Sequence, residues 1–308
     1  MQQMSSYLGW KVDFASPPGA PAFCGPDSVS WRVFKNPVAL AVGGVAAVLL
    51  EFADARIRSG VWDHSTYKHD PIGRSQRTGM AAMVGVYGPQ AAARRVIQGV
   101  TNMHTRVQGE TPRGESYRAL DPALLDWVSA TASWGFLTAY DSFVAKLGED
   151  EKRRYYAEGA PIAQLYGVQT PLKSDADFGA MLNALFPRFE PHPIVTEFLD
   201  IVQNRAGALR QPKIVRRALA RASVSMLPAR VRERLQLGSG YDLTAIEAAC
   251  LRALGAMAER IPIASAPPAQ ACVRLGLPAS FLYRSQRTQQ RLLAAWTPPH
   301  DSRVVPAE

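Results

Sequence analysis

Cysteine is scarce in this sequence: three residues, Cys24, Cys250 and Cys272, in 308. They form neither CxxC nor CxxCH, which argues against a disulfide scaffold, a cysteine-rich zinc module and covalent c-type haem attachment. Histidine is nearly as rare, with five: His64, His69, His104, His192 and His300. HExxH, GxSxG, GxGxxG and GxxxxGK[ST] are all missing. With them go the local signatures of zinc hydrolases, serine hydrolases and nucleotide-binding folds, although a triad built from distant residues leaves no such signature. The longest apolar run, Val38–Leu50, has 13 residues. A membrane-spanning helix needs ~20, so this run reads as a buried core helix. Met1–Gly25 lacks a basic stretch followed by an apolar one, so no secretory signal is expected. The expected location is cytoplasmic, and free thiols agree with a reducing compartment.

Positive charge is present in excess, with 35 Lys+Arg against 26 Asp+Glu and a net charge of +9. Such a balance first suggests nucleic acid, but its distribution does not. Between Asn204 and Arg234 stand Arg205, Arg210, Lys213, Arg216, Arg217, Arg221, Arg230, Arg232 and Arg234 against one acid, Glu233. That segment therefore carries +8, and the rest of the chain +1. Lys213–Arg221 reads as a basic amphipathic helix with Ile214, Ala218 and Leu219 or Ala222 on its apolar face. One reading is contact with an anionic membrane surface through residues 204–234, peripheral to the inner membrane face. The other is a solvated helix face paired with acids elsewhere. No nucleic-acid partner is expected.

The hydrophobic fraction, 47%, excludes wholesale disorder, and the length suffices for a sizeable core. The periodicity predicts an all-α fold of about ten helices, with no alternating β-branched run to compete. Residues 15–26 (ASPPGAPAFCGP) read as an irregular arm. One buried helix is expected from Val38 to about Ser59. Another runs from Pro71, capped by Asp70, to about Tyr87, and a third from Gln90 to Gln108. Residues 109–116 (GETPRGES) read as a turn-rich loop. Asp121-Pro122 opens a helix reaching Phe143. Further helices are expected over 150–166, 174–186, 193–204, 212–226, 228–237, 243–260 and 278–296. The expected organisation is an N-terminal arm over 1–36, a single helical domain over 37–300 and a loose tail over 301–308. Arg74-Ser-Gln-Arg-Thr78 recurs as Arg284-Ser-Gln-Arg-Thr288, but the flanks differ and no internal duplication is implied.

Three groups of residues carry candidate chemistry. His104 lies among apolar neighbours, with Val100 and Val107 on its helical face. It is a candidate axial ligand of haem iron, or a core histidine hydrogen-bonded to a carbonyl. Arg74, Arg77 and Thr78 share one helix face by their i, i+3, i+4 spacing. They suit a bound carboxylate such as a haem propionate, or they pair with Asp63, Asp70 or Glu51. Trp127, Trp134, Phe136, Tyr140 and Phe143 make an aromatic helix that either packs the core or walls a flat cofactor or an apolar substrate.

Four segments in order carry a resemblance: GGVAAVLLEFADARIRSGVWDHSTY (43–67), HDPIGRSQRTGMAAMVGVYG (69–88), NMHTRVQGETPRGESYRALDPALLDWVSATASWGFLTAY (102–140) and RRYYAEG (153–159). Together they resemble the MpaB / latex-clearing-protein (rubber oxygenase) catalytic-domain family, over roughly residues 37–240. The resemblance implies a globin-like helical core, non-covalent haem b, and an oxygenase that uses O2 to cleave isoprenoid or other alkene-bearing hydrophobic substrates. It places His104 as proximal ligand, Arg74 and Thr78 in support of the haem site, Arg77 on the distal side, His64 in the DHS motif and Glu51 as an active-site acid. Trp134 would wall the cofactor or substrate. Two departures stand out: Ser129 replaces the histidine of the family's WVHAT, and Asp54-Ala55 replaces a His-Pro. Two other functions stay open at this point. One is a non-catalytic haem- or lipid-binding protein, the other a peripheral membrane-surface protein with a degenerate haem site.

Overall fold

A computed structural model describes residues 5–7, 10–204 and 211–297. Arg205, Arg210, His300 and the expected tail at 301–308 lie outside the described residues. The all-α expectation holds, with fourteen α-helices and two short hairpins among the described residues. The helices are α1 (Val29–Phe34), α2 (Pro37–Phe52), α3 (Ala55–His64), α4 (Pro71–Tyr87), α5 (Gln90–His104), α6 (Pro122–Phe143) and α7 (Glu149–Leu165). They continue as α8 (Asp175–Leu185), α9 (Pro193–Asn204), α10 (Lys213–Met226), α11 (Ala229–Arg234), α12 (Ala245–Ala258), α13 (Pro267–Arg274) and α14 (Gln286–Ala294). Strands β1 (Ser5–Tyr7) and β2 (Trp10–Val12) form one antiparallel pair, and β3 (Gln108–Glu110) and β4 (Ser116–Arg118) the other. No helix among the described residues is long and apolar enough to cross a membrane.

α2 is the central element. Pro37 starts it, and Asn36 caps it by accepting from the Val38 and Ala39 amides. It ends at Phe52 instead of running on to Ser59, because Asp54 caps α3 by accepting from the Arg56 amide at 2.9 Å. Glu51 therefore stands in the last turn of α2. α6 lies against α2 at a glycine crossing. A Cβ built on Gly43 would meet the Gly135 carbonyl oxygen at 2.6 Å, and one built on Gly135 would meet the Gly43 oxygen at 2.6 Å. Neither helix yields without moving backbone, so Gly135→Ala is expected to destabilise the protein by about 1–3 kcal/mol in urea unfolding. A neutral outcome would mean that the helices slide freely.

α5 ends at His104, four residues earlier than the pattern suggests, and the chain turns into β3. The turn-rich stretch is the tip of the β3–β4 hairpin, where Gly114 takes φ +79°. Distant residues hold this hairpin. Glu115 pairs with Arg188, Arg113 with Glu190 at 2.7 Å, and Tyr117 Oη lies 3.0 Å from His64 Nε2. The Pro/Gly-rich arm is irregular as expected and is tied down by Arg274. That buried guanidinium donates to the carbonyls of Phe14, Ala20 and Tyr87.

The basic segment differs from its sequence reading. Ala218, Leu219 and Ala222 of α10 are buried, and Ser223 donates to the Val42 carbonyl, so this apolar face belongs to the core. Ile214, grouped with it by sequence, is 73% exposed. Most of the arginines have protein partners: Arg216 on the Gln203 and Asn204 carbonyls, Arg221 on Glu247, Arg230 on Asn183, Arg232 on Asp242 and Arg234 over the Phe186 ring. The reading of a helix face paired with acids elsewhere describes Arg221 and Arg232; the others meet carbonyls, an amide and a ring.

Candidate functional site

Three helices bring Glu51 (α2), Arg74 (α4) and His104 (α5) within electrostatic reach of one another. Burial pushes the Glu51 carboxyl up to about 7, and the Thr131 hydroxyl and the Arg74 cation pull it partly back. Burial and the same Arg74 charge both hold the His104 imidazole below its ordinary value, which favours its neutral form. Thr131 on α6 is fully buried; its hydroxyl lies 3.1 Å from Glu51 Oε1 and 2.9 Å from the Val128 carbonyl. It can donate to a Glu51 carboxylate, or accept from the carboxylic acid while donating to Val128. Both protonation states of Glu51 thus have a partner.

Arg74 also donates to Thr78 Oγ1, one turn further along α4. Tyr67 joins the group from the 3₁₀ turn Thr66–Lys68. Burial pushes its phenol up to about 12, against the opposing pull of the Ser75 hydroxyl and of Arg74. His104 lines a cleft of about 350 Å³ with Val107, Gln108, Arg118, Leu120 and Asp121. That volume is at the lower end of the range for small-molecule sites.

The other sequence candidates stand elsewhere. Arg77, half-buried, donates to Thr66 Oγ1 at 2.5 Å and pairs with Asp70 at 3.4 Å, while Thr78 beside it is exposed. His64 is exposed and contacts Tyr117 of the hairpin. Trp134 is buried in a stack: its ring lies 4.4 Å from Phe178, interplanar angle 5°, and Phe178 stacks in turn on Trp127. Phe136 packs against Phe34. The aromatic helix is therefore largely core packing. Two residues of the site were not singled out by sequence reasoning, Thr131 and Tyr67. Their signal was present: Thr131 lies one turn from both Trp127 and Trp134, and Tyr67 ends the DHSTY run.

A family model described as ER-bound oxygenase mpaB/B'/rubber oxygenase, catalytic domain, matches residues 31–260, about three quarters of the chain. The chain belongs to this family. The matched span contains Glu51, Tyr67, Arg74, Thr78, His104 and Thr131, and it ends just beyond α12. No curated protein and no solved structure matches the chain. Membership in the MpaB/rubber oxygenase family makes the activity class that of an oxygenase, with O2 and a small molecule as co-substrates.

Proposed function

We propose that the protein is a haem b-dependent oxygenase that acts with O2 on a hydrophobic, alkene-bearing substrate, isoprenoid in character. The observation that carries this reading is the arrangement of one half-buried imidazole, one half-buried carboxyl and one cation that acts on both. The donor set fits haem. Among the described residues no three His, Cys, Asp or Glu side chains converge on one point. A macrocycle that brings its own four nitrogens needs only a single protein donor such as His104. Burial favours that donor's neutral form, the one in which it ligates iron. Arg74 and Thr78 are the polar groups on the neighbouring helix, and Arg74 would hold a propionate or steady the ligand helix. Haem, when bound, supplies the O2 and redox chemistry.

The chain's own contribution is placement and proton handling. A carboxyl that titrates near 7 is poised to act as a general base at neutral pH. Glu51 Oε1 takes a proton from the substrate, and Thr131 keeps the carboxyl oriented before and after. Arg74 limits how far burial can suppress the carboxylate form. Arg77, which the resemblance places on the distal side, is tied to Asp70 and Thr66. Trp134 contributes through its stack on Phe178, which joins α6 to α8. Such a protein works in the cytoplasm, where a lipid-derived substrate is met at a membrane face.

The reading is tested by incubating haem-loaded protein with unsaturated isoprenoid lipids in an oxygen electrode, followed by mass spectrometry. Oxygen uptake matched by oxygenated cleavage products is expected. Haem-loaded protein that consumes no O2 across such a panel would support a binding protein without turnover.

A further inference from the structure

α12 and the loop after it expose an apolar stripe that the site does not use. Ile246, Cys250, Leu254 and Met257 recur at helical spacing on the outer face of α12, and Ile261 and Ile263 extend them beyond its end. Ile246 is 77% exposed and Met257 55%. Contiguous large apolar side chains on a surface mark an interaction site. The inner face of the same helix is ordinary core, with Ala248, Leu251 and Gly255 buried.

The acids near the stripe are paired: the exposed Asp242, one turn before Ile246, meets Arg232. The two acids of the segment turn inward. Glu247 pairs with Arg221 at 2.8 Å, while Glu259 takes Lys35 at 3.1 Å, Asn36 at 2.9 Å and the Tyr140 hydroxyl at 3.0 Å. What remains outside is Arg252, whose Nε donates to the Ser142 carbonyl at 3.4 Å, and Arg260, both exposed and without an acidic partner among the described residues. An apolar face flanked by cations that have no acidic partner complements a layer of anionic headgroups above acyl chains. A second copy fits less well. A helix of 14 residues is about 21 Å long and about 10 Å wide, and that footprint is well short of the ~800 Å² per partner of a standard interface.

We propose that α12 and residues 261–263 are an anionic-lipid docking surface, with the apolar stripe entering the headgroup layer and Arg252 and Arg260 meeting the phosphates. This moves the surface contact from the α10 segment, whose apolar face is core, to a helix whose apolar face is free. The inference stands independently of the oxygenase reading.

Cys250 gives a direct reporter, because it is exposed while Cys24 and Cys272 are buried. The full chain, labelled at Cys250 with an environment-sensitive fluorophore, is mixed at low salt with phosphatidylcholine vesicles, with or without phosphatidylglycerol. A blue shift and co-sedimentation with the anionic vesicles only are expected. Ile246→Glu/Met257→Glu should weaken retention at least tenfold, and Ile214→Glu on α10 should not. Both are surface changes, and circular dichroism checks the fold. The proposal is overturned if wild-type protein is not retained, if the double variant binds as wild type, or if Ile214→Glu abolishes retention instead. Light scattering showing a dimer that the double variant dissolves would assign the stripe to a second copy and also overturn it.

Discussion

Glu51→Gln is expected to lower the turnover of haem-loaded protein by about 10²–10⁴-fold, the range that a positioned general base contributes. Glutamine keeps the shape and can still accept from Thr131, so the loss isolates the proton. The wild-type rate should rise with pH through about 7, as the carboxyl ionises, and the variant should lose that rise. Stability gives a second readout that needs no substrate. The folded-state value, about 7, is above the ordinary carboxyl value of 4.5. Between those limits the folded protein holds a proton that the unfolded chain has released. Stability attributable to Glu51 therefore falls as pH rises from about 4.5 to about 7. The variant should lack this slope and be the more stable protein above pH 7. His104 acts with the opposite sign, because its folded value is depressed; its contribution falls as pH drops through 6.5. Urea unfolding across pH separates the two, and an unchanged slope in Glu51→Gln would remove Glu51 from the role assigned to it.

Arg58→Met is expected to cost about 3 kcal/mol of folding free energy. Arg58 is 2% exposed and donates to the Phe52 carbonyl at 2.8 Å and to Glu190. Those bonds close the C-terminal turn of α2, next to Glu51. The same turn is joined from outside, where the Glu190 amide donates to the Ala53 carbonyl at 3.1 Å and Phe189 bridges Asp54. Removing one member of a buried pair leaves the other charge uncompensated, which costs about 3–5 kcal/mol. The lower figure applies here because Arg113 still reaches Glu190 from the surface at 2.7 Å. The exposed Arg153–Asp150 pair on α7 is the control. Arg153→Ala should change stability by less than about 0.5 kcal/mol. Equal effects at the two positions would show that the buried network does not hold the α2 terminus.

The helical class was legible because caps and prolines punctuate the apolar periodicity: Asp70-Pro71 and Asp121-Pro122 open helices as expected, and the structure adds Asn36-Pro37 at the start of α2. The split at Asp54 was harder to see. Apolar pattern continues through Ala53 and Ala55, and only the Asp54 side chain on the Arg56 amide interrupts it. The early end of α5 has no local breaker. It follows from the hairpin, which is anchored by residues 53 and 73 positions away in sequence. Glu51 and His104 were both legible as candidates, yet their electrostatics were not. The Glu51 partner Thr131 is 80 residues distant, and the cation acting on both groups comes from a third helix. An apolar helix face reads alike whether core or lipid covers it. For that reason sequence pointed to α10, which is packed, and passed over α12, which is open.

The central proposal is that His104 ligates haem. It is tested most directly by titrating haem-free protein with haemin and recording the absorption spectrum, for the wild type and for His104→Ala. The account predicts a one-to-one endpoint with a shifted Soret band for the wild type, and for the variant a band left at the position of free haemin. A wild-type protein that never shifts the band would contradict it, as would a His104→Ala protein that binds one haem with an unchanged Soret spectrum.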